Sequence, residues 1–559
     1  MSKGLIERSG GRSRTLAAAS GLALMGIAIA LWAAPDGSSA AASRSRDPSP
    51  NSARLGAHVS AQSVQAQQAP IPPASEYEDA DGWWSPGESA ILPQHATFKN
   101  AFGLLGIIHT GGDLDTTNHP FFTPLGTNGR ACVTCHQPAD SMGLSLDTIR
   151  QRWTATHGKD PLFAAVDGSN CPSLPQGVES SHSLLLNHGL FRVFLPWPPK
   201  NKDGGPMTPE FTIEVVRDPT GCNTDPKYGL DSPNPMVSVY RRPRAVANMR
   251  YISASYKMRA PRGRRFNNKT GEVLAINPDT GERVGLPILS DARQPTLKAQ
   301  AIEATLTHLQ GEKPPTPEQL NQIESFENQL HVAQSFHNRA GRLDEPGGPT
   351  ALGPLPLVKG RPHVSGNRWA TPVFGNFDGW KTRRADESDE QREFRESVMR
   401  GYDLFLERPI WIRDTAHFNS IGMGNPYKRN CTICHSLQLM GTDTTPGVLD
   451  IGVNNKPWAP EMPELPLFKI TCDKDALPHP YLGREILTHD PGRALITGRC
   501  ADVGSLVMQP LRGIAGRAPY FSNGSAKDLA AVIDFYDERY DMKLTAQEKA
   551  DFVNFLSVL

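Results

Sequence analysis

Arg130-Ala-Cys-Val-Thr-Cys-His-Gln137, RACVTCHQ, contains the pattern Cys-x-x-Cys-His, and Cys431-Thr-Ile-Cys-His435, CTICH, repeats it about three hundred positions further on. This is the attachment pattern of c-type haem. Its spacing is chemical, because one helical turn brings both sulfurs to the two vinyl groups of a porphyrin and sets the imidazole beneath the iron. Half of a zinc site can also use Cys-x-x-Cys, but it needs a second close pair of ligands, and neither motif has an obvious one. A redox dithiol normally sits at the start of a helix in a βαβ unit. Two copies therefore predict two covalently bound haems. Cys132, Cys135 and His136 serve the first and Cys431, Cys434 and His435 the second, with both histidines as iron ligands.

The N-terminus supports this reading. Lys3, Arg8, Arg12 and Arg14 precede the apolar run Thr15 to Ala34, and the small residues Ala40-Ala41-Ala42 offer a cleavage pattern. The run is long for a signal peptide and just long enough to span a bilayer. Residues 1–42 are thus expected to be a signal peptide or a membrane anchor, and the protein to be exported to a periplasm. Residues 43–80 are rich in Ser, Ala, Gln and Pro with almost no large apolar side chains, so burial cannot offset their ordering entropy. They read as a linker.

Four cysteines remain, one pair in each half: Cys171 with Cys222, and Cys472 with Cys500. In an oxidising compartment such pairs suggest disulfides, although sequence alone does not establish connectivity. The chain has 559 residues, which favours more than one domain. Lys+Arg and Asp+Glu are 58 each, a balance that gives no support to nucleic-acid binding. Gly 50 and Pro 49 favour many loops.

Helical spacing and capping residues predict helices in SLDTIRQRWTATHG (stopped by Gly158), PTLKAQAIEATLTHLQ, TPEQLNQIESFENQLHVAQSF and ADESDEQREFRESVMRGYDLFLE, and in two C-terminal segments, the last opened by the box Thr545-x-x-Glu548. ESSHSLLLNHGLFRVFLPW reads as a short helix ended near Gly189 and then a strand, and EFTIEVVRD alternates as a strand. Residues 258–287 read as a β-hairpin insertion with a basic rim.

The segment 490–556, with APYFSNGS and LTAQEKADFVNFL, resembles the corresponding region of the bacterial di-haem cytochrome c peroxidase family, which includes the MauG-like proteins. YRRPRAVANMRYIS and LSDARQPTLKAQA are similar to two further family segments. The coarse class read from the predicted helices and strands is mainly α with short strands, and the resemblance implies two cytochrome c-like haem domains, 81–385 and 386–559, the first carrying the β-hairpin insertion. In that family, electrons from a small donor protein enter at a C-terminal haem with His/Met ligation and pass to an N-terminal haem that reduces hydrogen peroxide. Met508, 73 positions after His435, stands near the family's spacing for the axial methionine, with Met423, Met440 and Tyr520 as fallbacks. His157, His182 and His188 lie at suitable distances for a distal ligand of the first haem. Gln300 matches the family's active-site glutamine, and Glu303 and Glu312 lie near its acid–base carboxylate. The chain departs from the family where Leu289-Ser290 replaces Phe-Trp and where Ser522 replaces a histidine. The family also carries Ca2+ between its domains, which oxygen ligands from the loops could hold.

Three functions follow for comparison. The first is an exported peroxidase fed by a cytochrome c or cupredoxin, with a homodimer as an allowed assembly. The second is a MauG-like oxidase of an organic or protein substrate, and the third a non-catalytic two-haem relay. A peroxidase needs one iron with an openable position and a nearby acid–base group, whereas a relay needs neither.

Overall fold

A computed structural model describes residues 78–79, 82–201, 204–252, 288–360, 375–416, 424–435 and 448–559. The N-terminal run, the linker up to residue 77, the insertion at 258–287, Met423 and Met440 lie outside them. The described residues all belong to one compact unit.

The expected mainly α class is not what this unit shows: 30% of the described residues are helical and 19% lie in strands, spread over several small sheets. The largest sheet has five strands. His95–Asn100 and Gly103–His109 form a hairpin, and Leu330–His337 pairs antiparallel with Gly103–His109. Gly341–Arg342 and the parallel strand Glu78–Asp79 close the edges. Gly103 has φ +144°, and a Cβ there would strike the Phe336 carbonyl, so the hairpin requires glycine.

The strand Leu330–His337 corrects the helix expected over TPEQLNQIESFENQLHVAQSF. That helix runs Pro317–Gln329, opened by the capping box of Thr316 and Gln319, and then the chain straightens. Local propensity allows either form. The ladder to Gly103–His109 decides it, and the strand is buried on both faces, Leu330 and Val332 in one apolar cluster and Ala333 in another.

A three-stranded sheet joins distant parts of the chain. Leu467–Cys472 pairs with Phe211–Arg217 on one side and Glu485–Thr488 on the other. Disulfides Cys171–Cys222 and Cys472–Cys500 pin this region, as the even pairing suggested. With Cys472 and Cys500 separated by 28 positions, loop-closure entropy gives that bridge about 3–4 kcal/mol. Replacing both by alanine is expected to lower the free energy of unfolding by that amount, read by equilibrium denaturation.

The second half is built on two long helices. Asp389–Glu407 begins at Ser388, whose side chain accepts from Gln391 N–H, and its apolar face of Phe394, Val398 and Tyr402 is buried as the spacing predicts. It packs on Ala546–Ser557, whose predicted box is formed by Thr545 and Glu548. The crossing is close at Gly401, where a Cβ would strike the Asp551 carbonyl. Among the described residues, no helix is long and apolar enough to cross a membrane.

Candidate functional site

Arg130 opens the first motif and fixes it. Its guanidinium is buried and fully used: Nε donates to the Pro161 carbonyl (2.7 Å), Nη2 to that of Leu162 (2.7 Å), and Nη1 pairs with Asp167. From this anchor the chain makes one tight turn, Cys132–Thr134, with His136 N–H donating to the Cys132 carbonyl (3.1 Å). Gln137 closes the turn from below, its amide donating to the carbonyls of Val133 and Trp84. Cys132, Cys135 and His136 therefore face one cavity.

The His136 ring is oriented by its own backbone. Nδ1 lies 3.2 Å from the Met142 carbonyl, so the proton sits on Nδ1 and the lone pair on Nε2. Metal-bound histidines are typically held in this way. Burial pushes the Cys132 and Cys135 thiols up to about 12 and His136 down to about 4. Both thiols are thus neutral S–H groups, and the imidazole is in its metal-binding form.

The second motif repeats the turn at Cys431–Ile433, with His435 N–H donating to the Cys431 carbonyl (3.0 Å). The hairpin Ile410–Ile412 and Tyr427–Arg429 leads into it. Cys431, Cys434 and His435 face a larger and mostly apolar cavity. Burial raises the Cys431 thiol to about 12. The Tyr536 hydroxyl lies 3.4 Å from His435 Nε2, and burial raises that phenol well above its ordinary range.

Met508 and Tyr520 both line this second cavity. Met508 follows the strand Leu506–Val507, which pairs with Val448–Leu449. Arg244 of the first cavity clamps the same segment, donating from Nη2 to the Met508 carbonyl (3.1 Å) and from Nη1 to the Val507 carbonyl (3.3 Å). The Val507 N–H donates to the Ser290 carbonyl (2.7 Å). Arg242, Pro243 and Ser290 line both cavities, so the two sites share a wall. Ser290, where the family has tryptophan, stands in that wall.

The remaining expected residues divide. Gln300 lines the first cavity, on the helix Leu297–Thr307. His157 caps the helix Leu146–Thr156 with φ 51° and lines neither cavity. His182 is fully buried away from both, its ring nitrogens 3.0 Å and 3.1 Å from the Val178 and Phe163 carbonyls. His188 pairs with Glu464 (2.7 Å). Glu303 is held by Arg293 (2.6 Å) and Gln294, and Glu312 is exposed.

Two residues that were not singled out in the sequence line the first cavity. His308 does so with its Nδ1 against Asp167, the carboxylate that also holds Arg130. Glu327 does so from the next helix, four residues after Ile323 and on the same face. A carboxylate at an apolar position of a helical stripe was the available signal.

Haem fits what these residues provide. The four Cys-x-x-Cys thiols are unbridged, whereas the other four cysteines form disulfides. The second cavity also holds a cation short of a partner. Arg517 is buried, donates from Nη2 to the Pro510 carbonyl, and leaves Nε without a hydrogen-bond partner among the described residues. Burial lowers that guanidinium to about 10. The propionate of a haem is the kind of anion such a group lacks. Among the described residues, no group of three or more His, Cys, Asp or Glu could hold a metal ion such as Ca2+.

No protein-family profile matches the chain, and no curated protein matches it. Among solved structures, the crystal structure of a MauG-like protein associated with microbial copper homeostasis is similar at 17% sequence identity. The match covers 58% of this chain and 76% of that one, with a TM-score of 0.25, a weak likeness.

Proposed function

We propose that this chain is an exported di-haem c-type cytochrome that reduces hydrogen peroxide to water with electrons from a small redox protein, a cytochrome c or a cupredoxin. The observation that carries the reading is the pair of cavities, each with two unbridged thiols and a following histidine, that meet at the wall of Arg242, Pro243 and Ser290. Cys132 and Cys135 would hold one haem and Cys431 and Cys434 the other, with His136 and His435 toward the irons. When bound, the two groups supply one-electron transfer at one site and peroxide activation at the other.

The chain's own residues then set the division of labour. Met508 and the apolar wall of the second cavity suit an electron-transfer site, because a thioether ligand raises the potential. The first cavity suits chemistry, since its wall carries polar side chains that can orient a small substrate: Gln300, His308 and Glu327. A second reading, a MauG-like oxidase of an organic or protein substrate, rests on Ser290 standing in the shared wall at the position where the resembled peroxidases carry tryptophan.

The test is stopped-flow oxidation of a pre-reduced small cytochrome c by peroxide, starting from the fully oxidised and half-reduced protein. Fast turnover is expected, slowed roughly 10- to 100-fold by Gln300→Ala through loss of substrate orientation. Absence of turnover from both forms would overturn the reading. A haem oxidised by peroxide while the cytochrome stays reduced would transfer support to the oxidase.

A further inference from the structure

The charged groups in the wall of the first cavity are nearly all committed to partners. Arg130 is closed on Asp167 and two carbonyls. Arg241 is closed on Asp291 and Asp490, and Arg293 on Asp291 and Glu303. Arg242 donates to the carbonyls of Leu144 and Arg517 (3.0 Å), and Arg244 to those of Leu289, Val507 and Met508. His136 Nδ1 is on the Met142 carbonyl and His308 Nδ1 on Asp167.

Glu327 is the exception. Its side chain is 2% exposed and lines the cavity, and its Oε2 has no hydrogen-bond partner among the described residues. An ionised carboxylate left so would be costly, whereas a protonated one is tolerated. Burial first, and then the charge of Glu324, raises this carboxyl to about 8.

Two other titratable groups face it, Glu324 and the Cys132 thiol. Glu324 lies three residues earlier on the same helix, one turn away on the same face. It is part-exposed, with its carboxylate 3.3 Å from Lys298 Nζ on the neighbouring helix. One carboxyl thus stands at the surface and the next at the cavity. Gln300 lines the same cavity from the helix that carries Lys298.

We propose that Glu324 and Glu327 form the proton inlet of the first cavity, and that Glu327 gives a proton to the departing oxygen when peroxide is cleaved. The inference rests on the peroxidase reading. In the balanced reaction, H2O2 + 2 e− + 2 H+ gives 2 H2O. The O–O bond breaks, two O–H bonds form, and the electrons come from the small donor protein. Glu327 supplies one of the protons and is reloaded from solvent through Glu324.

The test uses the purified protein with both haems attached. Infrared absorption should show a protonated carboxyl in the resting protein at pH 7 that shifts in heavy water and is missing in Glu327→Gln. Peroxide turnover should fall as the pH rises through about 8, where the carboxyl has no proton to give. Glu327→Gln should lower turnover about 100-fold or more and remove that limb. Glu327→Asp should restore the limb, and Glu324→Gln should slow turnover less while keeping it. Wild-type rate and pH profile in Glu327→Gln, or an infrared band that this substitution leaves in place, would overturn the proposal. Wild-type protein without turnover would overturn the peroxidase reading and the delivery step with it, while the infrared band would still report whether Glu327 holds a proton.

Discussion

Replacing Cys132 and Cys135 together by alanine is expected to leave a chain with one covalent haem instead of two, and replacing Cys431 and Cys434 to do the same from the other side. A haem held by a single histidine–iron bond is in exchange with solvent, whereas two thioethers make its loss a covalent event. The thiols are set for that attachment: each pair sits on one tight turn, and burial keeps Cys132, Cys135 and Cys431 protonated until they add to a vinyl group. The readout is the mass of the denatured chain, which should fall by one haem for either pair and by two for all four. His136→Ala should behave differently, keeping the covalent mass while losing the ligand field in the visible spectrum. Two covalent haems persisting after either double substitution would overturn the assignment.

How much was legible beforehand depends on the range of the interactions that decide each element. The helix Leu146–Thr156 stops where His157 and Gly158 adopt positive φ, and Gly158 marked that stop. The boxes at Thr316 and Thr545 and the stripe Phe394, Val398, Tyr402 are also local signals. The five-stranded sheet is not local. Gly103–His109 finds its partner in Leu330–His337, more than two hundred residues later, and nothing in QLHVAQSF announces that pairing. Reading it as more helix left the five-stranded sheet out of the expected fold.

The site divides along the same line. The thiol–histidine turns are sequence patterns, and they face cavities. The distal histidines were chosen by distance along the chain, and His157 and His182 line neither cavity, whereas the helical pair 297–329 supplies part of the first cavity's lining. His308 and Glu327 come from that pair. Gln300 was visible through its surrounding motif, whereas Glu327 required knowing which helix face meets the cavity.

Replacing Met508 by alanine is expected to lower the reduction potential of the second haem by on the order of 0.1 V, given that axial ligands tune haem potentials over ~0.8 V. A thioether stabilises the reduced iron, and its loss leaves water or a harder ligand in its place. Position favours Met508 for this role, because it lines the cavity with His435 and its backbone is held on one side by the Leu506–Val507 ladder and on the other by Arg244. Spectroelectrochemical titration measures the shift, and the thioether–iron charge-transfer band of the oxidised protein should vanish with it. Tyr520, in the same cavity, is the control: its hydroxyl donates to the Ile514 carbonyl (3.1 Å), so Tyr520→Phe should leave the potential nearly unchanged. An unchanged potential in Met508→Ala beside a shifted one in Tyr520→Phe would reverse the assignment. Arg244→Lys separates position from identity. A lysine has one ammonium where the arginine fork reaches three carbonyls. A partial fall in potential with the thioether band retained but weakened would then show that the wall between the cavities sets how firmly Met508 is presented.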